Sequence, residues 1–142
     1  MPQRVRTQDA ALAGSKGEAE DKGLLATAVQ APGVGKPAVE KAGKLQIPAS
    51  PTGQLAYATA KASAKAGPVT VEMPNMSGVT HNIAFEAGEH GSSGPGPVLG
   101  SSKIISKGTV TLSLTLKPGT YTFFCEVPGH RQAGMYGALS VK

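Results

Sequence analysis

The stretch that decides the fold runs from Tyr121 to Met135 and reads Tyr-Thr-Phe-Phe-Cys-Glu-Val-Pro-Gly-His-Arg-Gln-Ala-Gly-Met. It contains Cys125, which is the only cysteine of the chain, and it places His130 and Met135 after that cysteine at steps of five residues. A strand-like run leads into the cysteine, and a Pro-Gly turn separates the cysteine from the histidine. One short loop therefore carries three metal-binding side chains around one point.

The residue types in this loop favour a mononuclear copper site. A thiolate, two imidazoles and a weak, distant thioether are the ligands of electron-transfer copper centres, so a second histidine is required. The candidate is His81, which lies 44 residues before Cys125. Side chains two residues apart in a strand point to the same face, and His81 shares this spacing with Ile83 and Phe85. We therefore predict a strand over residues 79–85 in which His81 points inward.

Each of these residues also has an ordinary structural interpretation. A free cysteine is often an inert buried thiol, a histidine on an apolar strand face is often a core residue, and a methionine often fills a gap in the core. An inert thiol at Cys125 does not explain why His130 and Met135 stand at fixed positions beside it, so we favour metal binding. His90 lies in a loop rich in glycine and serine without a neighbouring partner, and we interpret it as solvent-exposed.

Composition and charge restrict both the fold and the class of protein. The 142 residues include 19 glycines and 11 prolines, which suits an all-β domain of short strands joined by many turns. The formal net charge of +5 is not concentrated in runs of lysine and arginine with aromatic residues between them, which argues against nucleic-acid binding. A single cysteine excludes an intramolecular disulfide.

The pattern of residues divides the chain into two parts. Residues 1–44 are rich in Ala, Gly, Lys and Glu and contain few large apolar residues, so we predict a poorly structured, flexible N-terminal extension or tether. Residues 45–142 carry the alternating patterns of short strands and predict a β-sandwich. No apolar run near the N terminus is long enough for a signal peptide or a membrane span, so we expect any export signal or anchor to lie upstream of Met1.

Within the second part, the clearest alternation of apolar and polar residues is at residues 110–116. The sequence Lys-Pro-Gly-Thr that follows is typical of a type II turn. The predicted strands lie at residues 45–47, 55–59, 68–73, 79–85, 110–116, 121–125 and 139–141. Residues 88–100 are rich in Gly, Ser and Pro, and we predict a loop there.

Four segments together resemble the cupredoxins, the family of small blue copper proteins that includes plastocyanin and rusticyanin. The segments are Val-Thr-His-Asn-Ile-Ala-Phe at residues 79–85, Lys-Pro-Gly-Thr-Tyr at residues 117–121, Tyr-Thr-Phe-Phe-Cys at residues 121–125, and Pro-Gly-His leading to Gly-Met at residues 128–135. The resemblance covers residues 45–142 and implies a Greek-key β-sandwich. It also implies one type 1 copper, for which the family pattern gives the ligands His81, Cys125 and His130 in a plane and Met135 on the axis. By the same resemblance, Asn82 fastens the ligand loop.

The resemblance implies a small electron-transfer protein that carries one electron by cycling between Cu(II) and Cu(I). A copper carrier or storage protein is the alternative, although carriers usually offer exposed, exchangeable ligands. We do not expect an enzyme, because a copper oxidase or nitrite reductase needs further histidines for a second copper site and the chain has three in total. We also expect a monomer, a redox partner that docks near His130, and an extracytoplasmic location in the periplasm or at the cell surface.

Overall fold

The computed structural model describes residues 33–94 and 96–142, and in these residues the fold is a sandwich of two β-sheets. The elements are β1 (Ala38–Val39), β2 (Lys44–Gln46), β3 (Lys61–Ala64), β4 (Gly67–Asn75), β5 (Ala84–Ala87), β6 (Val98–Ser101), β7 (Gly108–Leu116), β8 (Gly119–Phe124), the helix α1 (His130–Ala133) and β9 (Tyr136–Val141). One sheet has the order β1-β3-β9-β8-β5-β6 and the other has the order β2-β4-β7. The predicted all-β sandwich is confirmed.

The long antiparallel pair of strands β4 and β7 forms most of the smaller sheet. The two strands run antiparallel through nine residue pairs, from Gly67 opposite Leu116 to Asn75 opposite Gly108. Along β4 the odd-numbered positions Val69, Val71 and Met73 are buried and the residues between them are half-buried. This period of two turns one apolar face of the sheet towards the core.

Aromatic rings at the centre of the sandwich lie between the two sheets. The rings of Tyr57 and Phe123 meet edge to face with centroids 5.3 Å apart, and Phe85 lies 6.1 Å from Phe123. Phe123 on β8 is paired with Gly137 on β9, and a Cβ atom at Gly137 would collide with the Phe123 ring. The glycine therefore makes room for the ring that packs next to the ligand-bearing end of β8.

The domain begins earlier than the predicted boundary at residue 45. Strand β1 pairs in parallel with β3, and the backbone N–H of Gly33 donates to the carbonyl oxygen of Tyr57 at 3.0 Å. Residues 33–44 are therefore part of the sandwich and do not belong to a flexible extension. Their small residues carry little apolar signal, and main-chain pairing holds them instead. The remainder of the predicted extension, residues 1–32, lies outside the described residues.

Two of the predicted strands are corrected by the structure. Residues 55–59 form no strand and take part only in isolated bridges, Ala49 with Tyr57 and Val34 with Thr59. The predicted strand at residues 79–85 starts only at Ala84, because the chain before it makes a single bridge, between His81 and Ile105.

The sequence patterns also miss β3, β6 and α1. Strand β6 begins in the segment predicted as a loop and ends one residue beyond it, and its residues Val98 and Leu99 are 54% and 44% exposed. An exposed edge strand does not alternate between apolar and polar residues, so no pattern marks it. In β3 the inward residues are the alanines Ala62 and Ala64, whose small side chains give a weak signal.

Candidate metal centre

Cys125 lies directly after β8, and backbone hydrogen bonds fold the chain that follows into a compact loop. Its side chain is buried, and its N–H donates to the carbonyl oxygen of Met135 at 3.1 Å. Inside the loop, the N–H of His130 donates to the oxygen of Val127 at 3.0 Å, and the N–H of Met135 donates to the oxygen of His130 at 3.0 Å. The backbone thus fixes the three residues of the sequence motif relative to one another.

Two glycines set the bounds of the short helix in this loop. Gly129 has φ 84° and precedes α1, and Gly134 has φ 123° and follows it. Residues with a side chain rarely adopt positive φ because the Cβ atom crowds the backbone. The glycines at these positions allow the chain to enter and leave α1 within the space between Cys125 and Met135.

His81 comes to the same point from another part of the chain. Its N–H and carbonyl group both bond to Ile105, at 2.9 Å each, which fixes its backbone. The Nδ1 atom of His81 lies 3.2 Å from Nδ1 of His130 and 4.0 Å from Sγ of Cys125, and Nδ1 of His130 lies 3.5 Å from the same sulfur. The three donor atoms lie within 4.8 Å of one another.

These separations fit a shared metal ion. Bonds of about 2.0 Å to imidazole and about 2.3 Å to thiolate place two donors about 3.3–3.7 Å apart around one ion, close to the observed separations of 3.2–4.0 Å. His81, Cys125 and Met135 are buried, whereas His130 is half-buried. The donor set combines nitrogen with soft sulfur, which suits copper.

The protonation states of the buried donors follow from their surroundings. Burial, and then the neighbouring His130, lowers the pKa of His81 to about 4, so its imidazole is neutral near pH 7 and has a lone pair for a metal. Burial raises the pKa of the Cys125 thiol, and backbone amides of Asn82 and Val127 oppose that shift. A metal that binds here therefore displaces a proton from the sulfur.

Asn82 ties the segment of His81 to the segment of Cys125. Its Oδ1 atom accepts from the N–H of Glu126 at 2.8 Å, and its Nδ2 atom donates to the Glu126 carboxylate at 2.8 Å and to the oxygen of Ser102 at 3.2 Å. The amide thus contacts the residue immediately after Cys125. A side chain with these bonds holds the two ligand-bearing segments in register.

Tyr57 supports the same segment from the core, although the sequence analysis assigned it no role at the site. Its hydroxyl donates to the carbonyl oxygen of Asn82 at 2.7 Å. Burial, followed by negative charge at Cys125 and Glu126, raises the pKa of Tyr57 well above its ordinary value, so the hydroxyl keeps its proton. No local motif marks this residue, because its partner lies 25 positions along the chain.

Glu86 and Arg131 form a further pair that the sequence analysis missed. The Arg131 guanidinium holds the pKa of Glu86 below its usual range, against the opposing effect of burial, so the carboxylate is charged. In the sequence, a charged glutamate within an otherwise apolar strand was the signal that could have indicated a partner for Glu86.

The nearby His90 was expected to be solvent-exposed, but it is half-buried, and its Nε2 atom lies 3.1 Å from the oxygen of Ala87.

Comparison with protein families gives a direct answer. The model of the copper-binding proteins of the plastocyanin/azurin family matches residues 46–142, which is more than half of the chain. The chain belongs to this family. The resemblance to the cupredoxins is therefore confirmed, and the matched residues contain both segments that carry the clustered donor atoms.

Solved structures of cupredoxins share the fold. Dithionite-reduced auracyanin from the photosynthetic bacterium Roseiflexus castenholzii is 26% identical, with a TM-score of 0.62, and the match covers 72% of this chain and 99% of auracyanin. Auracyanin A, a blue copper protein from Chloroflexus aurantiacus, is 26% identical with a TM-score of 0.59, and the match covers 75% of this chain and 99% of auracyanin A. Reduced rusticyanin is 16% identical with a TM-score of 0.56, and the match covers 76% of this chain and 85% of rusticyanin. At this identity the likeness supports the fold alone. Comparison with curated protein sequences gives no match.

Family membership and the clustered donor atoms together define the activity. This cupredoxin is a small blue copper protein of electron transfer, and its cofactor is one mononuclear copper. The predictions of copper and of electron transfer are confirmed. Cupredoxins are in general electron carriers rather than enzymes.

Proposed function

We propose that His81, Cys125 and His130 bind the copper through Nδ1, Sγ and Nδ1, and that Met135 is the axial ligand. The observation that carries this assignment is the cluster of three donor atoms within 4.8 Å of one another. Met135 is fully buried in the same core cluster as Cys125, and the hydrogen bond between their backbones keeps the two residues together. A thioether at this position is a weak donor that adjusts the site.

Bound copper would supply one-electron chemistry by alternating between Cu(II) and Cu(I). The protein contributes a set of donors held by Ile105, Asn82 and the backbone of the ligand loop, so they keep their positions as the charge on the metal changes. Burial excludes water from Cys125 and His81. Because these donors would move little when the copper gains or loses an electron, electron transfer would be fast.

The route for the electron follows from exposure. His130 is the one half-buried member of the proposed ligand set, and the loop residues around it are small and exposed, namely Pro128, Gly129, Ala133 and Gly134. A redox partner docks there and takes or delivers the electron through the His130 imidazole. From Gly43 onward, eight Lys and Arg residues outnumber four Glu residues, and a net charge of +4 favours a partner with an anionic surface.

The same features favour an electron carrier over the other classes of copper protein. A carrier that hands over its copper needs accessible ligands, whereas His81, Cys125 and Met135 are buried. The chain has one histidine outside the site, too few for a second copper site of an oxidase, so we propose an electron carrier that is not an enzyme. We also propose that it acts as a monomer.

By family resemblance it acts outside the cytoplasm. No helix in the described part of the chain has the length and apolar character needed to cross a membrane.

Replacing Cys125 by serine tests the assignment. The thiolate bond to Cu(II) produces the intense blue charge-transfer band, so the parent protein with added Cu(II) should turn blue and bleach with ascorbate. Cys125→Ser should abolish the band, and His90→Gln, which changes the histidine outside the site, should retain it. Absorption spectra of the three proteins at equal copper loading measure this. A Cys125→Ser protein as blue as the parent would show that the site lies elsewhere.

A further inference from the structure

A buried ion pair connects the ligand loop to the core of the larger sheet. Glu86 on β5 is 1% exposed, and both of its carboxylate oxygens accept from Arg131, at 3.0 Å from Nη1 and at 2.7 Å from Nη2. The Arg131 side chain is 12% exposed. Two parallel bonds from a guanidinium to a carboxylate fix both the distance and the orientation of the pair.

Arg131 makes two more contacts that use the rest of its guanidinium. Its Nε atom donates to the carbonyl oxygen of Gly91 at 2.9 Å, and its Cζ atom lies 4.2 Å from the centre of the Phe124 ring. Phe124 immediately precedes Cys125, and Arg131 immediately follows His130. The guanidinium therefore contacts the strand that ends immediately before Cys125, and it belongs to the helix that begins at His130.

Apart from the His130 imidazole at the metal centre, Arg131 provides the side-chain hydrogen bonds of helix α1 within the described residues. It is four residues long, none of its residues is buried, and it has no side-chain cap. Apolar burial, which holds most helices in proteins, is missing here. Away from the metal centre, the contacts of Arg131 with Glu86, Phe124 and Gly91 attach this helix to the larger sheet.

We propose that Arg131, which is hydrogen-bonded to Glu86, is a positioning residue for His130. It fixes the distance of the His130 imidazole from Cys125 and His81, and this distance would stay the same in both oxidation states of the copper. This inference goes beyond the proposed function and rests on His130 as a ligand. The position of the His130 imidazole would set how well its ring nitrogen overlaps with the metal. It would also set the path along which an electron passes to the partner. Rigidity of this residue therefore governs the spectrum, the copper affinity and the rate of electron exchange.

Four variants separate positioning from charge. Glu86→Gln keeps the shape of the acceptor and loses its charge, Arg131→Met keeps most of the stem and loses the guanidinium, and Arg131→Lys keeps the charge but loses the fork. Lys117→Met is the matched control, because Lys117 is an exposed lysine at the opposite end of β8 from Cys125. All four are made in the full chain.

The first measurement needs no metal. In the copper-free protein, the amides of Ala133, Gly134 and Met135 donate within the loop to the oxygens of Gly129, Arg131 and His130. Hydrogen exchange at these three amides should be faster in Glu86→Gln and Arg131→Met than in the parent, and unchanged in Lys117→Met. Exchange rates equal to those of the parent in every variant would overturn the proposal.

The second measurement uses the copper-loaded protein. Cu(II) affinity should fall by about 10–100-fold in Glu86→Gln and Arg131→Met, as is usual when a group that orients a ligand is lost. The wavelength of the blue charge-transfer band should shift in the same direction in both variants, and Arg131→Lys should lie between them and the parent. A purely electrostatic role would instead shift the reduction potentials of the two variants in opposite directions and would not shift the band in one common direction, which would contradict positioning.

The design keeps failure of folding and failure of the proposed function apart. If Arg131→Met does not fold, Arg131→Lys and Glu86→Gln decide the question through the same two measurements. If the parent protein binds Cu(II) without turning blue, the ligand assignment is wrong and the proposal falls with it, while the exchange data still report whether Arg131 holds the helix.

Discussion

At Met135 a single side chain is expected to adjust the copper site without building it. The sulfur of a thioether is a weak ligand that favours the softer Cu(I). Met135→Gln brings a harder oxygen that supports Cu(II), so the reduction potential should fall. Met135→Leu removes the weak donor and leaves a drier, apolar environment that disfavours the higher charge, so the potential should rise.

Voltammetry of the parent and both variants at one pH measures these shifts. All three proteins should remain blue, because His81, Cys125 and His130 are unchanged. Potentials of both variants equal to that of the parent would show that Met135 is not the axial ligand. Met76 offers no ready substitute, since its side chain is 64% exposed.

The hydroxyl of Tyr57 should contribute to stability through the bond it donates to Asn82. Tyr57→Phe keeps the ring against Phe123 but leaves the buried carbonyl oxygen of Asn82 without this donor, which should cost about 1–3 kcal/mol. Denaturant unfolding of the copper-free protein measures the loss. Tyr121→Phe is the control, because its hydroxyl donates at 2.6 Å to the carbonyl oxygen of Lys117, which is an exposed residue, whereas Asn82 is buried. Equal losses in both variants would contradict the special role of the Tyr57 bond.

At the scale of single elements, the sequence predicts what its side chains encode and misses what the main chain decides. The alternation at residues 110–116 belongs to β7, which turns one face to the core, and the run before Cys125 belongs to β8, whose last four residues are all buried. Inward placement of His81 is also observed, although the chain there forms one bridge in place of a strand. Period-two spacing reports burial, and a bridge with a distant residue such as Ile105 leaves no local pattern.

The candidate site was accessible to sequence analysis to the extent that it is local. Cys125, His130 and Met135 lie in one loop, so their spacing alone suggests a site. The second histidine lies 44 residues before the cysteine, so no local spacing identifies it. The need for a second imidazole and the strand-like pattern around His81 made it the candidate. Glu86 and Arg131 are 45 residues apart, and their pairing follows only from the position of β5 beside β8 in the sheet.

The ligand loop as an element depends on Gly129, whose positive φ starts α1. An alanine in the left-handed region costs about 1–2 kcal/mol, and asparagine tolerates this region better. No atom lies within 4 Å of the position that a Cβ atom would take at Gly129, so crowding by neighbours does not contribute. Gly129→Ala should therefore destabilise the copper-free protein by about 1–2 kcal/mol, and Gly129→Asn by less.

Thermal or denaturant unfolding of the two Gly129 variants and the parent gives the comparison. An alanine variant as stable as the parent would show that the loop tolerates another backbone path at this point. An asparagine variant that is less stable than the alanine variant would show that the side chain, and not the backbone angle, is responsible.

For the whole molecule, the beginning of the folded domain has a measurable consequence. Within the described residues, the folded domain includes the chain from Gly33 onward, and strand β1 forms the edge of the larger sheet through its parallel pairing with β3. Glu40, which follows β1, donates its N–H to the oxygen of Ser63 at 2.9 Å, and its carboxylate accepts from the N–H of Lys65 at 3.0 Å. These bonds attach the end of β1 to β3 and to the residue that follows it.

Two truncations test this boundary against the one that the composition of the chain suggests. Removal of residues 1–32 should leave the stability and the blue spectrum unchanged, because that segment has few large apolar residues. Removal of residues 1–40 also deletes β1 and the bonds of Gly33, Gly35 and Glu40 to the chain near β3, and at about 1 kcal/mol for each hydrogen bond the loss should be about 2–4 kcal/mol. Denaturant unfolding of both proteins measures the difference, and the spectrum with Cu(II) should stay blue in both. Equal stability of the two truncated proteins would place the start of the domain near residue 45, whereas a loss already on removal of residues 1–32 would show that this segment stabilises the domain.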